Sequence, residues 1–145
     1  MHRREFLQGL SSVALILAVP RLWATWPQQA FFSESIADVL RTYFSGMKPE
    51  ASDLIQLKIP SLAENGAVVP VNVATDIKQV EAIAIIVQQN PFPLSAVHEF
   101  REQSLPFLSL RLKLAESSKV MALVYSQNRL YMKEKFVEVT IGGCG

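Results

Sequence analysis

Hydrophobic positions near the start of the folded part of this chain follow the period of a helix. Residues 33–44 carry apolar side chains at positions 36, 39, 40, 43 and 44, which is the spacing of one face of an amphipathic helix. Ser33 or Ser35 can cap this helix at its start, and Gly46 can end it. The sequence therefore predicts one short helix here.

After Pro49 the hydrophobic period changes to two, which is typical of strands. Residues 55–59, 108–114 and 137–141 alternate apolar with polar side chains, so each segment should have one buried and one solvent-facing side. Residues 80–87 and 120–125 are almost continuously apolar, which indicates strands that are buried more deeply.

Turn-forming residues separate these segments. Asn65-Gly66 lies between two strand-like runs and favours a tight reverse turn, because glycine tolerates positive φ. Residues 127–129 are a second candidate hairpin loop, and residues 90–93, Asn-Pro-Phe-Pro, must be an irregular connection. Pro70 lies inside a further strand-like run and cannot donate to a β-ladder, so we expect that strand at a sheet edge or a bulge.

About seven short strands with turns between them predict an all-β fold, an antiparallel β-sandwich of the immunoglobulin-like kind. We expect this sandwich, with its N-terminal helix, to occupy residues 25–141. Residues 142–145 would then form a flexible C-terminal arm, and residues 1–24 a removable signal.

The first residues have the composition of an export signal. Arg3 and Arg4 are followed after one residue by Phe-Leu, and a mostly apolar run covers residues 10–19. A basic start, a short apolar run and a small residue at the cleavage point make a signal peptide, and the Arg-Arg-x-Phe-Leu order resembles the bacterial twin-arginine signal. We expect cleavage after Ala24, with Ala30 as the alternative, and no membrane anchor afterwards.

Length, net charge and the counts of cysteine and histidine exclude several classes of function. The 145 residues allow a single domain. The formal net charge of +1 becomes −1 without residues 1–24, which hold three arginines and one glutamate, so nothing favours binding to nucleic acid or an anionic membrane. One cysteine and two histidines, His2 and His98, exclude a disulfide framework, a multi-cysteine cluster and a histidine-rich metal site.

The sequence shows no conventional active site. It lacks a glycine-rich phosphate loop, a G-x-S-x-G elbow and an H-E-x-x-H helix. His98 and Glu99 are adjacent, but neighbouring residues on a strand face opposite ways, so we predict a polar surface segment there. We expect no catalytic residue, no metal and no cofactor in this chain.

The C-terminus, Gly142-Gly143-Cys144-Gly145, carries the candidate chemistry. Chain ends fray and glycine permits almost any backbone conformation, so we expect an exposed thiol about 10 Å beyond the last strand residue. Its sequence neighbours contain no base, cation or helix start that would activate it. Residue chemistry leaves four alternatives: a covalent carrier, an intermolecular disulfide, a lipid or metal attachment point, and an inert tail.

Three segments of the sequence resemble the SoxY sulfur-carrier proteins of the bacterial thiosulfate-oxidising Sox system. They are residues 59–71, residues 90–93 and residues 139–145, and the twin-arginine start accompanies them. The family tail usually has two glycines after the cysteine, whereas this chain has Gly145 alone. The turn at Asn65-Gly66 has a full explanation in backbone geometry, so it is assigned no role in the site.

The resemblance implies a periplasmic, non-catalytic carrier that holds thiosulfate-derived sulfur on Cys144, with Gly142, Gly143 and Gly145 as its arm. It also implies a heterodimer with the β-sandwich subunit SoxZ. The family enzymes would be the haem-containing SoxAX, the hydrolase SoxB and a candidate sulfane dehydrogenase. The competing hypothesis is an exported structural sandwich that dimerises through a disulfide at Cys144.

Overall fold

The computed structural model describes residues 28–140, which form two helices and nine strands. Arg3, Arg4 and residues 142–145, with Cys144 among them, lie outside the described residues. The elements are α1 (Gln28–Phe31), α2 (Ile36–Tyr43), β1 (Glu50–Ala51), β2 (Ile55–Lys58), β3 (Leu62–Ala63), β4 (Val69–Thr75), β5 (Val80–Val87), β6 (Leu94–Glu99), β7 (Phe107–Leu112), β8 (Ser118–Ser126) and β9 (Arg129–Val139).

The strands form two sheets, which confirms the predicted all-β sandwich. The large sheet has the order β1-β9-β8-β5-β6, with β3 also pairing with β9, and the small sheet has the order β2-β4-β7. The two-residue strands β1 and β3 run parallel to β9, while every other pairing is antiparallel. Neither helix within residues 28–140 is long and apolar enough to cross a membrane.

Residues 82–87 of β5 and 120–124 of β8 are continuously apolar because both faces of the large sheet are covered there. Side chains 83, 85 and 87 of β5 and 120, 122 and 124 of β8 pack against residues of the small sheet. Side chains 84 and 86 of β5 and 121 and 123 of β8 pack against the helices. The molecule therefore has three layers, and burial of both faces removes the alternation expected of a half-exposed strand.

Helix α2 forms where the sequence predicts a helix. Ser35 is its N-cap, and the Ser35 hydroxyl oxygen accepts a hydrogen bond from the Asp38 amide at 3.1 Å. At the other end Gly46 has φ +75° and donates its amide to Leu40 O at 2.8 Å, the role of a helix-ending glycine. The one-turn helix α1 before it has no counterpart among the predicted elements.

The candidate hairpin at residues 127–129 is confirmed. Ser126 pairs with Arg129, and the two residues between them, Gln127 and Asn128, have φ of 47° and 59°. Positive φ at both central positions is characteristic of the tight turn that matches the twist of a β-hairpin.

The expectation that Pro70 lies on an edge strand or at a bulge is wrong. Pro70 belongs to β4, the central strand of the small sheet, and pairs in regular register with Arg111 of β7. Strand β2 pairs only with the stretch of β4 from Asn72 to Thr75. Proline is tolerated because β7 is the only strand that pairs with β4 at this point.

Candidate functional site

The end of β9 leads toward the candidate carrier cysteine. Thr140 is the last described residue, and Cys144 follows it by four positions. An extended chain spans at most about 3.3–3.6 Å per residue, which keeps the Cα atom of Cys144 within about 14 Å of that of Thr140. We call residues 138–140 the arm root, because their surroundings decide where the tail leaves the domain.

Strand β3 holds one side of the arm root. The amide of Glu138 donates to Ser61 O at 2.8 Å, and the amide of Thr140 donates to Ala63 O at 3.0 Å. Lys135, three residues earlier on β9, donates its Nζ to Ile59 O at 2.7 Å. These three hydrogen bonds hold residues 59–63 alongside the C-terminal end of β9.

Ser117 holds the arm root from the opposite side. Its hydroxyl oxygen accepts the amide of Val139 at 2.9 Å, and the same hydroxyl lies 3.5 Å from Val139 O, toward which it donates. Since Thr140 and Glu138 point their amides at β3, both sides of the strand have partners up to the last described residue. The root is therefore a rigid base for whatever follows it.

Gly66 packs directly against the arm root. A Cβ atom at this position would lie 2.6 Å from Leu114 O and 2.9 Å from Cγ1 of Val139, closer than non-bonded carbon atoms approach. The Leu114 amide also donates to Gly66 O at 2.7 Å. The predicted reverse turn forms, with the Val68 amide donating to Asn65 O at 3.4 Å, but Gly66 lacks the expected positive φ, because Gly46 is the only positive-φ glycine among the described residues.

Asn90 joins the irregular connection at residues 90–93 to the same region. Its side chain donates Nδ2 to Lys113 O at 2.8 Å and accepts the Ala115 amide on Oδ1 at 2.9 Å. These two bonds enclose Leu114, the residue that binds Gly66. The described parts of the three segments that carry the family resemblance, residues 59–71, 90–93 and 139–140, thus lie at one end of the sandwich, through contacts that spacing in the sequence does not show.

Exposed apolar side chains lie around the arm root, next to the exposed carboxylate of Glu138. Leu62 pairs with Glu138 and is 51 % exposed, and Phe136 is 56 % exposed. Lys119 is already engaged with Glu134 at 3.0 Å. Within residues 28–140 no three His, Cys, Asp or Glu side chains cluster closely enough to hold a metal ion.

His98 and Glu99 lie at the far end of the large sheet, on the edge strand β6. Both are exposed, and they pair with Ile83 and Ala82 near the start of β5. His98 packs edge-on against the Phe100 ring at 4.6 Å, whereas Glu99 accepts a hydrogen bond from the Tyr43 hydroxyl at 2.9 Å. The prediction of a polar surface segment is confirmed, and neither residue is near the arm root.

A sequence model of the family described as sulfur oxidation protein SoxY matches residues 40–144. The chain belongs to the SoxY family. The match includes the arm root and extends to Cys144, so the family assignment covers the whole candidate site. No curated protein sequence matches the chain significantly.

Solved structures agree with membership of the SoxY family. The sulfur carrier protein SoxY from Chlorobium limicola f thiosulfatophilum is 35 % identical, with a TM-score of 0.66 over 72 % of this chain and 94 % of that one. A superoxide reductase (neelaredoxin) from Ignicoccus hospitalis is 15 % identical, with a TM-score of 0.57 over 63 % of this chain and 95 % of that one. The second likeness is one of fold alone.

Proposed function

We propose that this protein carries sulfur covalently on the thiol of Cys144 and presents it to separate enzymes. The observation that carries the proposal is the arm root. Hydrogen bonds on both sides of β9 continue to Thr140, four residues before the single cysteine of the chain. A fixed base with a short tail confines the Cα atom of Cys144 to a sphere of about 14 Å radius, which keeps an intermediate on its thiol at high local concentration.

The chemistry of a thiol suits reversible attachment of sulfur. Joining thiosulfate to Cys144 forms one sulfur–sulfur bond, releases the thiol proton and removes two electrons. We assign those electrons to the haem enzyme of the family, SoxAX. Hydrolysis by SoxB would then consume water, release sulfate and leave a persulfide on the cysteine, and a sulfane dehydrogenase would oxidise the remaining sulfur. The described residues of this chain position the arm and take no part in these steps.

The proposal includes a location and a permanent partner. Arg3 and Arg4 would direct export of the chain to the periplasm by the twin-arginine route, with removal of residues 1–24. The exported sandwich would pair with a SoxZ-like β-sandwich subunit. Flexible glycines at positions 142, 143 and 145 would let the tail enter narrow enzyme clefts, because they add no side-chain bulk beside the thiol.

Mass spectrometry of protein isolated from cells oxidising thiosulfate tests the carrier function. We expect sulfur and thiosulfonate adducts on Cys144, because the attachment bond is stable enough to survive isolation without reductant. Cys144→Ser should abolish thiosulfate oxidation without changing thermal stability. The matched control Ser109→Cys places a thiol on the exposed face of β7 and should acquire no adducts.

Two results would contradict the carrier function. One is a thiol at Cys144 that stays unmodified throughout turnover. The other is a disulfide dimer as the sole modified form, with thiosulfate oxidation unaffected in Cys144→Ser, which would support the structural module instead.

A further inference from the structure

A surface cleft lies at the end of the large sheet that is remote from the arm root. It has a volume of about 480 Å³ and lies between the end of α2, the start of β5 and the end of β6. Strand β5 runs from this cleft to Val87, which pairs with Val120 of β8. Val120 pairs in turn with Lys135 of β9, three residues before the arm root. Eight residues at about 3.3 Å each separate the two ends by roughly 25 Å, beyond the reach of the tail.

Four of the nine residues that line the cleft are aromatic. Tyr43, Phe44, Phe100 and Tyr125 line it together with the thioether of Met47. The rings of Tyr43 and Phe44 meet edge-on at 4.8 Å, and those of Phe44 and Tyr125 are 6.4 Å apart. The faces of aromatic rings carry negative charge density, which attracts cations within about 6 Å of the ring centre.

The charges at the cleft are all negative. Glu81 and Glu99 line it, and among residues 28–140 no lysine, arginine or histidine does so. Both carboxylates accept hydrogen bonds from neutral donors, Glu99 from the Tyr43 hydroxyl and Glu81 from the Gln127 amide, each at 2.9 Å. Neither forms an ion pair with any basic side chain in the described part of the chain.

The backbone adds to this negative potential. Helix α2 ends at Tyr43 on the rim of the cleft, and the C-terminal end of a helix carries a partial negative charge that favours cations. Burial, together with the Glu99 carboxylate, raises the pKa of Tyr43 well above its usual value, so the Tyr43 hydroxyl keeps its proton and continues to donate to Glu99.

We propose that this cleft binds an arginine side chain of a protein partner. The planar guanidinium group of arginine can stack on an aromatic ring while it also pairs with a carboxylate. The compact ammonium group of lysine combines these two contacts less well. A free cation would be held weakly, because exposed ion pairs contribute little. A protein partner adds backbone contacts, since within residues 28–140 the strand β6 pairs with β5 and with no other strand, which leaves its second edge available for strand addition. A partner bound here leaves the arm root and tail free.

Titration of the isotopically labelled protein with a short arginine peptide tests this proposal. The probe is acetyl-Gly-Arg-Gly-amide, and the control probe replaces arginine with uncharged citrulline. We expect saturable shifts in the amide resonances of Ser45, Met47, Ala82 and Phe100 with the arginine probe alone. These residues line the cleft, so a specific site should perturb them and leave the arm root unchanged.

Glu99→Gln is the informative variant, because its carboxamide oxygen can still accept the Tyr43 hydrogen bond. It should weaken binding of the arginine peptide about two- to fivefold. The matched control is Glu138→Gln, at an exposed glutamate of the arm root, which should bind the peptide as the wild type does. Loading of sulfur on Cys144 should be unaffected in Glu99→Gln, which separates this proposal from the carrier function.

Three results would overturn the proposal. They are equal shifts with the citrulline peptide, unchanged affinity in Glu99→Gln, and no saturable shift of the cleft amides with the arginine peptide.

Discussion

At the scale of single residues, the candidate site is built from small polar groups and one glycine. Ser117 binds the Val139 backbone through its hydroxyl, Asn90 bridges Lys113 and Ala115, and Gly66 leaves room for Leu114 O. None of these groups has reactive chemistry of its own. Their common effect is to hold the strand that leads to Cys144, which is what a carrier requires of its domain.

Gly66→Ala should destabilise the protein by about 1–3 kcal/mol, because the added methyl group overpacks the contact between Leu114 and Val139. Native-state hydrogen exchange should quicken at the amides of Leu114 and Val139. Gly46→Ala is the control, since a Cβ there meets nothing within 4 Å but the residue has φ +75°. It should cost about 1–2 kcal/mol without altering exchange at Val139. Equal exchange at Val139 in both variants would contradict this account.

At the scale of elements, helix α2 is tied to the edge strand β6 by one side-chain hydrogen bond. The Tyr43 hydroxyl donates to Glu99 across 56 positions of sequence. Burial first, and then the hydrogen bond and charge of Glu99, raise the pKa of Tyr43 above its usual 10.0. Tyr43 therefore keeps its proton in the folded protein at a pH where the unfolded chain has lost it.

This difference predicts how stability depends on alkaline pH. Below pH 9 the free energy of unfolding of the wild type should be about 1 kcal/mol higher than that of Tyr43→Phe, because the variant lacks the hydrogen bond to Glu99. Above about pH 10 that excess should fall, because the unfolded state of the wild type then binds fewer protons than the folded state. Chemical denaturation of both proteins between pH 7 and pH 11 measures it.

Glu99→Gln provides the control for this pH dependence. It removes the carboxylate charge that disfavours ionisation of Tyr43, so its stability should fall less steeply than that of the wild type above about pH 10. If the difference in free energy of unfolding between the wild type and Tyr43→Phe stays constant from pH 7 to pH 11, the pKa of Tyr43 is not raised in the folded protein.

At the scale of the whole molecule, the three layers divide the core in two. Ile85 is fully buried between the two sheets, whereas its neighbour Ile86 is fully buried beneath the helices. The large sheet is therefore shared by both halves of the core. The arm root lies at one end of this sheet and the aromatic cleft at the other, so the two sites can be occupied together.

The neighbouring isoleucines permit a matched test of this layering. Ile85→Val and Ile86→Val should each cost about 0.5–1.5 kcal/mol, because each removes one buried methylene group. Hydrogen exchange should then quicken in β4 for Ile85→Val and in α2 for Ile86→Val. The same set of amides affected in both variants would show that the layers do not respond separately.

Much of the secondary structure could be predicted because its signals are local. The amphipathic spacing of α2, the apolar runs of β5 and β8 and the turn at Gln127-Asn128 each depend on residues close in sequence. Pro70 was placed wrongly for the same reason. Whether Pro70 is tolerated in a central strand depends on whether β2 extends far enough to pair with β4 at that residue. The length of β2 is set by a different segment of the chain, so the residues around Pro70 do not reveal it.

Local patterns along the chain are sufficient to predict the all-β class, the short helix and the position of the one cysteine on which the proposed carrier function depends. The folded structure is needed to show that Gly66 and Ser117 contact Val139 while Asn90 holds the residues on either side of Leu114, and that two carboxylates share a cleft with aromatic side chains and the end of α2. Hydrophobic period reports which way a side chain faces within its own element. Which elements meet is settled by packing across the whole chain, where residues separated by tens of positions come within hydrogen-bonding distance.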